Sequence, residues 1–386
     1  MTSFLSRKPD SGLGNIKASP ADPTRNIDWV LMSAQLLLTV IGFFVVFSTS
    51  RTPAIERTGD EFFYVNRQVI FAIVATVVMV VVMSADYEFW KDRARSLYGL
   101  TIAALLALLV YSRFGPGNEL YFDLGPINVQ PAELAKFTTL LMLATFLAEE
   151  RTDEVSYARF LGGLMIVGVP GVLIIVQPDL GSGSVIVSIA MGVLLVAGAK
   201  ARYILAISFL SIATIAAAFF GRLVNTYQIT RIRVLLDPGA ASSDDTYQAD
   251  NAMRALGTGG IWGKGWLRGP LTNDGNIPVM FADFPFAGVG EQFGLVGCAV
   301  VLTLIGICLV RIWRIAHLSR DLLGTYVCAG VFVMLLWQTF QNVGMTLKIM
   351  PVTGLPLPFI SYGGSGLIVY FAMFGLVQSV HMRRMR

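Results

Sequence analysis

Charge is scarce in this chain. Of its 386 residues 14% are Asp, Glu, Lys or Arg and 55% are hydrophobic, whereas soluble globular domains carry about a quarter charged residues. With a mean hydropathy of +0.66, a soluble fold is excluded, and the composition defines a polytopic membrane protein. The net charge of +4, from 29 basic and 25 acidic residues, is too small and too dispersed for a nucleic-acid partner. Histidine is nearly absent. His317 and His381 both sit beside basic residues at the ends of apolar segments, which excludes a histidine-built metal centre. Cys298, Cys308 and Cys328 lie in apolar runs without paired spacing, so they read as small core residues rather than disulfides or ligands. Residues 1–27 are polar and lack the apolar core and cleavage site of a signal peptide. They read as a disordered tail, followed by an uncleaved anchor.

What is present in abundance is apolar helix. A bilayer core takes about 20 residues of helix, and on that criterion the sequence predicts ten spans within one membrane domain, 28–386. They are Trp29–Thr49, Tyr64–Ser84, Ser96–Ser112, Pro131–Ala148, Phe160–Val176, Ser182–Ala199, Tyr203–Gly221, Phe284–Val310, Leu322–Val343 and Gly366–Val380. The fourth, sixth and last are short. Seventeen of the 29 Lys and Arg fall on the side of the termini and twelve on the other. Half of those twelve lie in the long 222–285 loop, which the positive-inside rule discounts. Both termini are therefore expected in the cytoplasm and the long loop outside. The fold class is all-α, with one large, partly structured extracellular loop between the seventh and eighth spans. No 20–50-residue period or inverted repeat is visible.

The polar segments that interrupt the apolar runs carry the candidate chemistry. Asn276–Gly294, NIPVMFADFPFAGVGEQFG, places Asp283 just before a long apolar run, as either a functional acid or a helix N-cap. Asp123–Lys136, DLGPINVQPAELAK, leads into the fourth span, with Pro131 suited to its first turn. Glu133 and Lys136 then share a face, and Lys136 lies roughly 7 Å inside the helix start at 1.5 Å per residue. A lysine at that depth must snorkel, pair or line a wet cavity. It has two available partners: Glu133, one turn back, or Asp283, which enters at the same depth from the same side. Gln177–Ser182, QPDLGS, reads as a tight turn with Asp179 as a cap. Lys348–Gly366, KIMPVTGLPLPFISYGGSG, holds Pro351, Pro356 and Pro358 and cannot be a simple helix. Ser361, Gly363, Gly364 and Ser365 open the last span, where free N–H groups suit a phosphate unless the segment is only a structural turn. Lys348 adds a point charge, and Arg231, Arg233 and Lys264 of the long loop are further phosphate-binding candidates.

Gln130–Lys136, Gln177–Ser182, Gly257–Trp266 (GTGGIWGKGW), Ala282–Gly297 (ADFPFAGVGEQFGLVG) and Pro351–Gly366 occur in this order. Together they resemble the motifs of the SEDS family (shape, elongation, division and sporulation), which includes RodA and FtsW. GGIWGKGW and PVTGLPLPF are closer to RodA. The resemblance implies a peptidoglycan glycosyltransferase that polymerises lipid II at the outer face of the cytoplasmic membrane, with a class B penicillin-binding protein as transpeptidase partner and membrane lipids around it. It implies Asp283 as the catalytic aspartate and Lys136 as the lysine that pairs with it. No cofactor is implied with certainty; a divalent cation stays open. Phe281-Ala282 replace the polar pair that commonly precedes the aspartate, Pro285 follows it, and Gln292 stands where a second acid is common, beside Glu291. Two other readings compete: a transporter flipping lipid II, and a non-catalytic scaffold of the wall machinery. Against the transporter stand the outward location of every polar motif and the scarcity of charge near the midplane.

Overall fold

A computed structural model describes residues 26–114, 120–123, 128–149, 155–220, 243–273, 277 and 279–385. The predicted disordered tail lies almost wholly outside these residues, as do Arg231 and Arg233. Ten helices occupy the ten predicted segments: α1 Trp29–Thr58, α2 Phe63–Ser84, α3 Tyr87–Phe114, α4 Pro131–Ala148, α5 Tyr157–Val176, α6 Leu180–Val196, α7 Ala201–Phe220, α11 Pro285–His317, α12 Leu322–Thr346 and α13 Gly364–Met382. Between α7 and α11 stand α8 Ser243–Thr258, α9 Pro270–Asn273 and α10 Met280–Asp283. A two-stranded ribbon, β1 Phe122–Asp123 against β2 Asn128–Val129, precedes α4.

Eight of the helices are long and apolar enough to cross a membrane; α6 and the Ala201–Leu210 part of α7 are shorter apolar helices. The three segments that were short in sequence have a common setting. α4, α6 and α13 are largely enclosed, as is the longer α12, with α13 the most buried of the spans and α3 the least. A helix whose neighbours are protein does not need a full lipid-facing length, and it can carry polar side chains that lipid would not accept. α13 packs along α2, α1 along α11, α3 along α4, and α12 against α4, α6 and α11.

Both ends of the described chain meet at one end of the bundle. The Asp28 amide donates to Gln378 Oε1 (3.0 Å) and Gln378 Nε2 donates to the Asp28 carbonyl (2.9 Å), while Arg311 Nη2 pairs with the Asp28 carboxylate at 2.6 Å. Arg383 donates to the carbonyls of Met83 and Ser84 at the end of α2.

At the opposite end α11 is broken at Gly294 (φ 65°, ψ −161°). The helical hydrogen bonds lost there are replaced by the glycine-rich loop. Lys264 N and Gly265 N donate to the carbonyls of Glu291 and Gln292 (2.9 and 3.0 Å), and Leu295 N and Val296 N donate to those of Gly260 and Ile261 (2.9 and 3.2 Å). Such close pairing leaves no room for side chains. A Cβ on Gly259 would overlap the Gly290 carbonyl, and one on Gly263, itself at φ 80°, would overlap that of Gln292. Gly263→Ala should therefore lower stability by about 1–3 kcal/mol through overlap and a disfavoured φ. Gly257→Ala, at a position open to 4 Å, should leave it unchanged; thermal unfolding of the detergent-purified protein compares the two.

Candidate active site

Asp283 ends the single turn of α10, which begins after Val279 in a left-handed conformation (φ 54°). Pro285 occupies the first turn of α11, where its missing N–H costs nothing. The N-cap position falls to Phe284 and not to Asp283, so the capping alternative for the aspartate does not hold. The apolar residues that replace a polar pair before it are packing residues. Phe281 is buried, its ring 4.5 Å from that of Tyr64 and 5.5 Å from that of Tyr362, and its carbonyl accepts from Tyr362 N at 2.9 Å. Burial pushes the Tyr362 phenol above its usual range, with Arg67 acting in the opposite direction.

The proline-rich strap 351–363 runs beside this turn. Gly354 (φ 69°) is so close that a Cβ there would lie 3.7 Å from the Asp283 carboxylate. Asn342 of α12 joins the two segments, its Nδ2 donating to the Asp283 carbonyl (2.9 Å) and to the Leu355 carbonyl (2.8 Å). On its other side the strap reaches the start of α4. Glu133 Oε2 would lie 3.6 Å from a Cβ on Gly366, with Pro356 beside it.

Lys136 is completely buried, and its ion pair is with Glu133 Oε1 at 2.5 Å. Of the two partners that the sequence leaves open for Lys136, the local one is thus engaged. Proximity decides it: Glu133 lies one helical turn away on the same face and is itself buried, so neither charge can be left alone in this low-dielectric setting. Glu133 Oε2 has no hydrogen-bond partner among the described residues, nor do Gln341 Oε1 and Asn342 Oδ1 beside the strap.

Four of the five motifs converge here. The Gln130 amide donates to Ser365 Oγ (3.2 Å), which donates to the Asn128 carbonyl (2.9 Å). Gln130 Nε2 donates to Asp179 Oδ2 (3.1 Å), and Asp179 caps α6 by accepting from Ser182 N (2.9 Å), as the turn reading predicts. Gly181 abuts the Thr353 carbonyl of the strap.

Several phosphate candidates are engaged elsewhere. Ser361 Oγ accepts from Leu357 N (2.7 Å), and Gln68 bridges the Ser361 carbonyl and the Gly363 amide. Gly364 abuts the Phe71 ring. These residues hold the strap, and the carboxylate of Glu133 lies at the first turn of α13 where a phosphate was expected. Lys348 pairs with Asp250 of α8 and Lys264 with Glu291; neither is the isolated point charge that its position in sequence suggested. Gln68, Asn342 and Tyr362 were not signalled by sequence. A buried amide gives no periodic pattern, and only the strap's need for hydrogen bonds reveals them. Among the described residues no three His, Cys, Asp or Glu side chains converge as a metal-binding group.

The fold and site define a multi-pass α-helical membrane protein with a polar site at one end, under a proline-rich strap. Residues 28–386 match the family model for FtsW, RodA and SpoVE, described as cell cycle protein. The chain belongs to this family. It is 31% identical over 357 residues to stage V sporulation protein E of Bacillus subtilis, covering 92% of this chain and 96% of that protein. It is 32% identical over 362 residues to the peptidoglycan glycosyltransferase MrdB of Escherichia coli K12, covering 93% and 94%. A chain of a solved peptidoglycan synthase complex superposes with a TM-score of 0.77 at 28% identity, covering 93% of this chain and 99% of that one.

The Glu133–Lys136 pair gives a stability test. Lys136→Met leaves a buried carboxylate without its counter-charge and should cost about 3–5 kcal/mol. Adding Glu133→Gln should recover most of that loss, measured as a double-mutant cycle in thermal unfolding.

Proposed function

We propose that this protein is a peptidoglycan glycosyltransferase that polymerises lipid II at the outer face of the cytoplasmic membrane, with both termini in the cytoplasm. The observation that carries the reading is the strap, which meets the carboxylate of Asp283 at Gly354 and comes beside Glu133 of the buried Glu133–Lys136 pair at Pro356. In the proposed reaction the Asp283 carboxylate accepts the proton of the acceptor sugar's 4-hydroxyl. That oxygen bonds to the anomeric carbon of the lipid-linked donor sugar as the bond from this carbon to pyrophosphate breaks. The lipid pyrophosphate leaves with the bonding electrons, and a single displacement inverts the anomeric centre. Lys136, completely buried and held by Glu133, is the cation assigned to the leaving group, whose developing negative charge it stabilises when phosphate oxygens replace Glu133 as its partner.

The relative named MrdB is a peptidoglycan glycosyltransferase, and the similar solved chain belongs to a peptidoglycan synthase complex. Both support this assignment, and the second supports a penicillin-binding protein as partner. The RodA-like wording of Gly259–Trp266 and Pro351–Phe359 favours a role in cell elongation. Asp283→Ala should lower polymerisation of purified lipid II by about 10²–10⁴-fold, the range of general-base help, with unfolding temperature unchanged. Glycan strands made at wild-type rate by this variant would overturn the reading. A chelator arm reads metal dependence, and a liposome assay of lipid II movement on the same preparation distinguishes polymerase from transporter.

A further inference from the structure

We infer that Glu291 is a positioning residue that closes the chain from Lys264 to Glu291 into a ring and thereby helps to set the location of Asp283; the inference rests on the proposed role of Asp283. Glu291 lies in the outer half of α11, before the Gly294 break, and is completely buried. Its carboxylate accepts from four donors. Oε1 takes the Leu271 amide (3.1 Å) and Lys264 Nζ (3.3 Å); Oε2 takes the Thr272 amide (2.7 Å) and the Thr272 hydroxyl. Pairing with Lys264 alone would not require burial, since that lysine is partly exposed. The other three donors belong to α9, and α9 is the part of the loop that feeds the Asp283 turn.

The approach is close enough to demand glycine. A Cβ on Gly269 would come within 2.6 Å of Oε2. Neighbouring contacts hold the same segment from outside. Gln292 Oε1 accepts from Leu267 N (3.3 Å) while its Nε2 donates to Ser48 Oγ of α1 (2.9 Å). Thr52 of α1 donates to the Asn273 carbonyl, and the Asn273 amide donates to the carbonyl of Gly269 (2.8 Å).

The consequence is geometric. Asp283 is attached downstream to α11, whose Glu291 lies six residues past its Pro285 start, about 9 Å along the helix at 1.5 Å per residue. Upstream, it is attached to α9. The Glu291 anchor adds to the contacts that hold the Asp283 turn elsewhere, the Asn342 bond to the Asp283 carbonyl and the seat of Phe281 against Tyr64 and Tyr362. Its loss leaves Asp283 present and chemically unchanged, on a turn with fewer restraints. Misplacement of a catalytic group lowers turnover more than substrate binding.

The test uses the full-length, detergent-purified protein with two readouts: the rate of trypsin cleavage after Arg268, and steady-state polymerisation of lipid II. Glu291→Ala should raise the cleavage rate about tenfold, since charge-assisted hydrogen bonds are lost and local opening becomes easier. Its kcat should fall roughly 10–100-fold while KM stays within about threefold. Thr272→Val, which removes one donor and keeps the backbone ones, should move both readouts in the same direction by less; it decides the matter if Glu291→Ala does not fold. Lys264→Met, which removes the counter-charge and one of the four donors of Glu291, should move both readouts in the same direction as Glu291→Ala and by less. Unchanged Arg268 cleavage, or faster cleavage with unchanged kcat, overturns the inference. Asp283→Ala, run alongside, should be inactive with wild-type Arg268 protection. Polymerisation by that variant would overturn the proposed chemistry, whereas unchanged cleavage in Glu291→Ala overturns only the ring.

Discussion

The constraint on which this structure depends is that a backbone near lipid must find its hydrogen bonds within the protein. Two stretches break helical geometry at the same end of the bundle: the strap 351–363 and the glycine-rich loop 259–267. Each is satisfied differently. The loop pairs backbone to backbone with the broken α11 across Gly294. The strap, whose prolines remove donors of its own, relies on buried amide side chains, with Gln68 from α2 and Asn342 from α12 serving its carbonyls. The site at the strap exists because irregular chain is held there at all, with the backbone of Gly354 brought against the Asp283 carboxylate.

Charge burial follows the same logic. Glu133 and Lys136 sit in the first turns of α4, a helix enclosed by α3, α5, α6, α12 and α13. An isolated charge there would cost several kcal/mol, and the pair reduces this cost without removing it. Such a pair is weak support for stability and better support for function, because packed apolar residues would serve a purely structural helix at least as well. The pair also separates the two acids of the site by setting: Glu133 is engaged with a lysine inside α4, and Asp283 lies at the end of a single turn against Gly354.

Much of this was legible in the sequence. Ten helices occupy the ten apolar segments because a run of about 20 apolar residues has its place in a bilayer or a core, although hydropathy did not separate the exposed α3 from the enclosed α13. Pro131 at the first turn of α4, the Asp179 cap and the non-helical strap were each visible in local chemistry. The partner of Lys136 was less so. Depth along two helices matches many candidates, and the choice between Glu133 and Asp283 rests on lateral packing that one dimension does not encode. The same holds for Lys348 and Lys264, whose partners Asp250 and Glu291 lie 98 and 27 residues away. Phe281 and Ala282 looked like a loss of polar surroundings for Asp283, and only the ring contacts with Tyr64 and Tyr362 reveal them as the floor on which the turn rests.

The joining of Asp28 to Gln378 and Arg311 bears on how the protein is made. Ribosomal synthesis delivers α1 before α11 and α13, so the carboxylate and backbone groups at the head of α1 wait for two helices that do not yet exist. Arg311 arrives with α11, and Gln378 only with α13. The head of α1 is thus completed long after the helix itself is made. Until α13 packs along α2, that face of α2 stays uncovered, while the strap already has Gln68, Asn342 and the Asp283 turn to lie against.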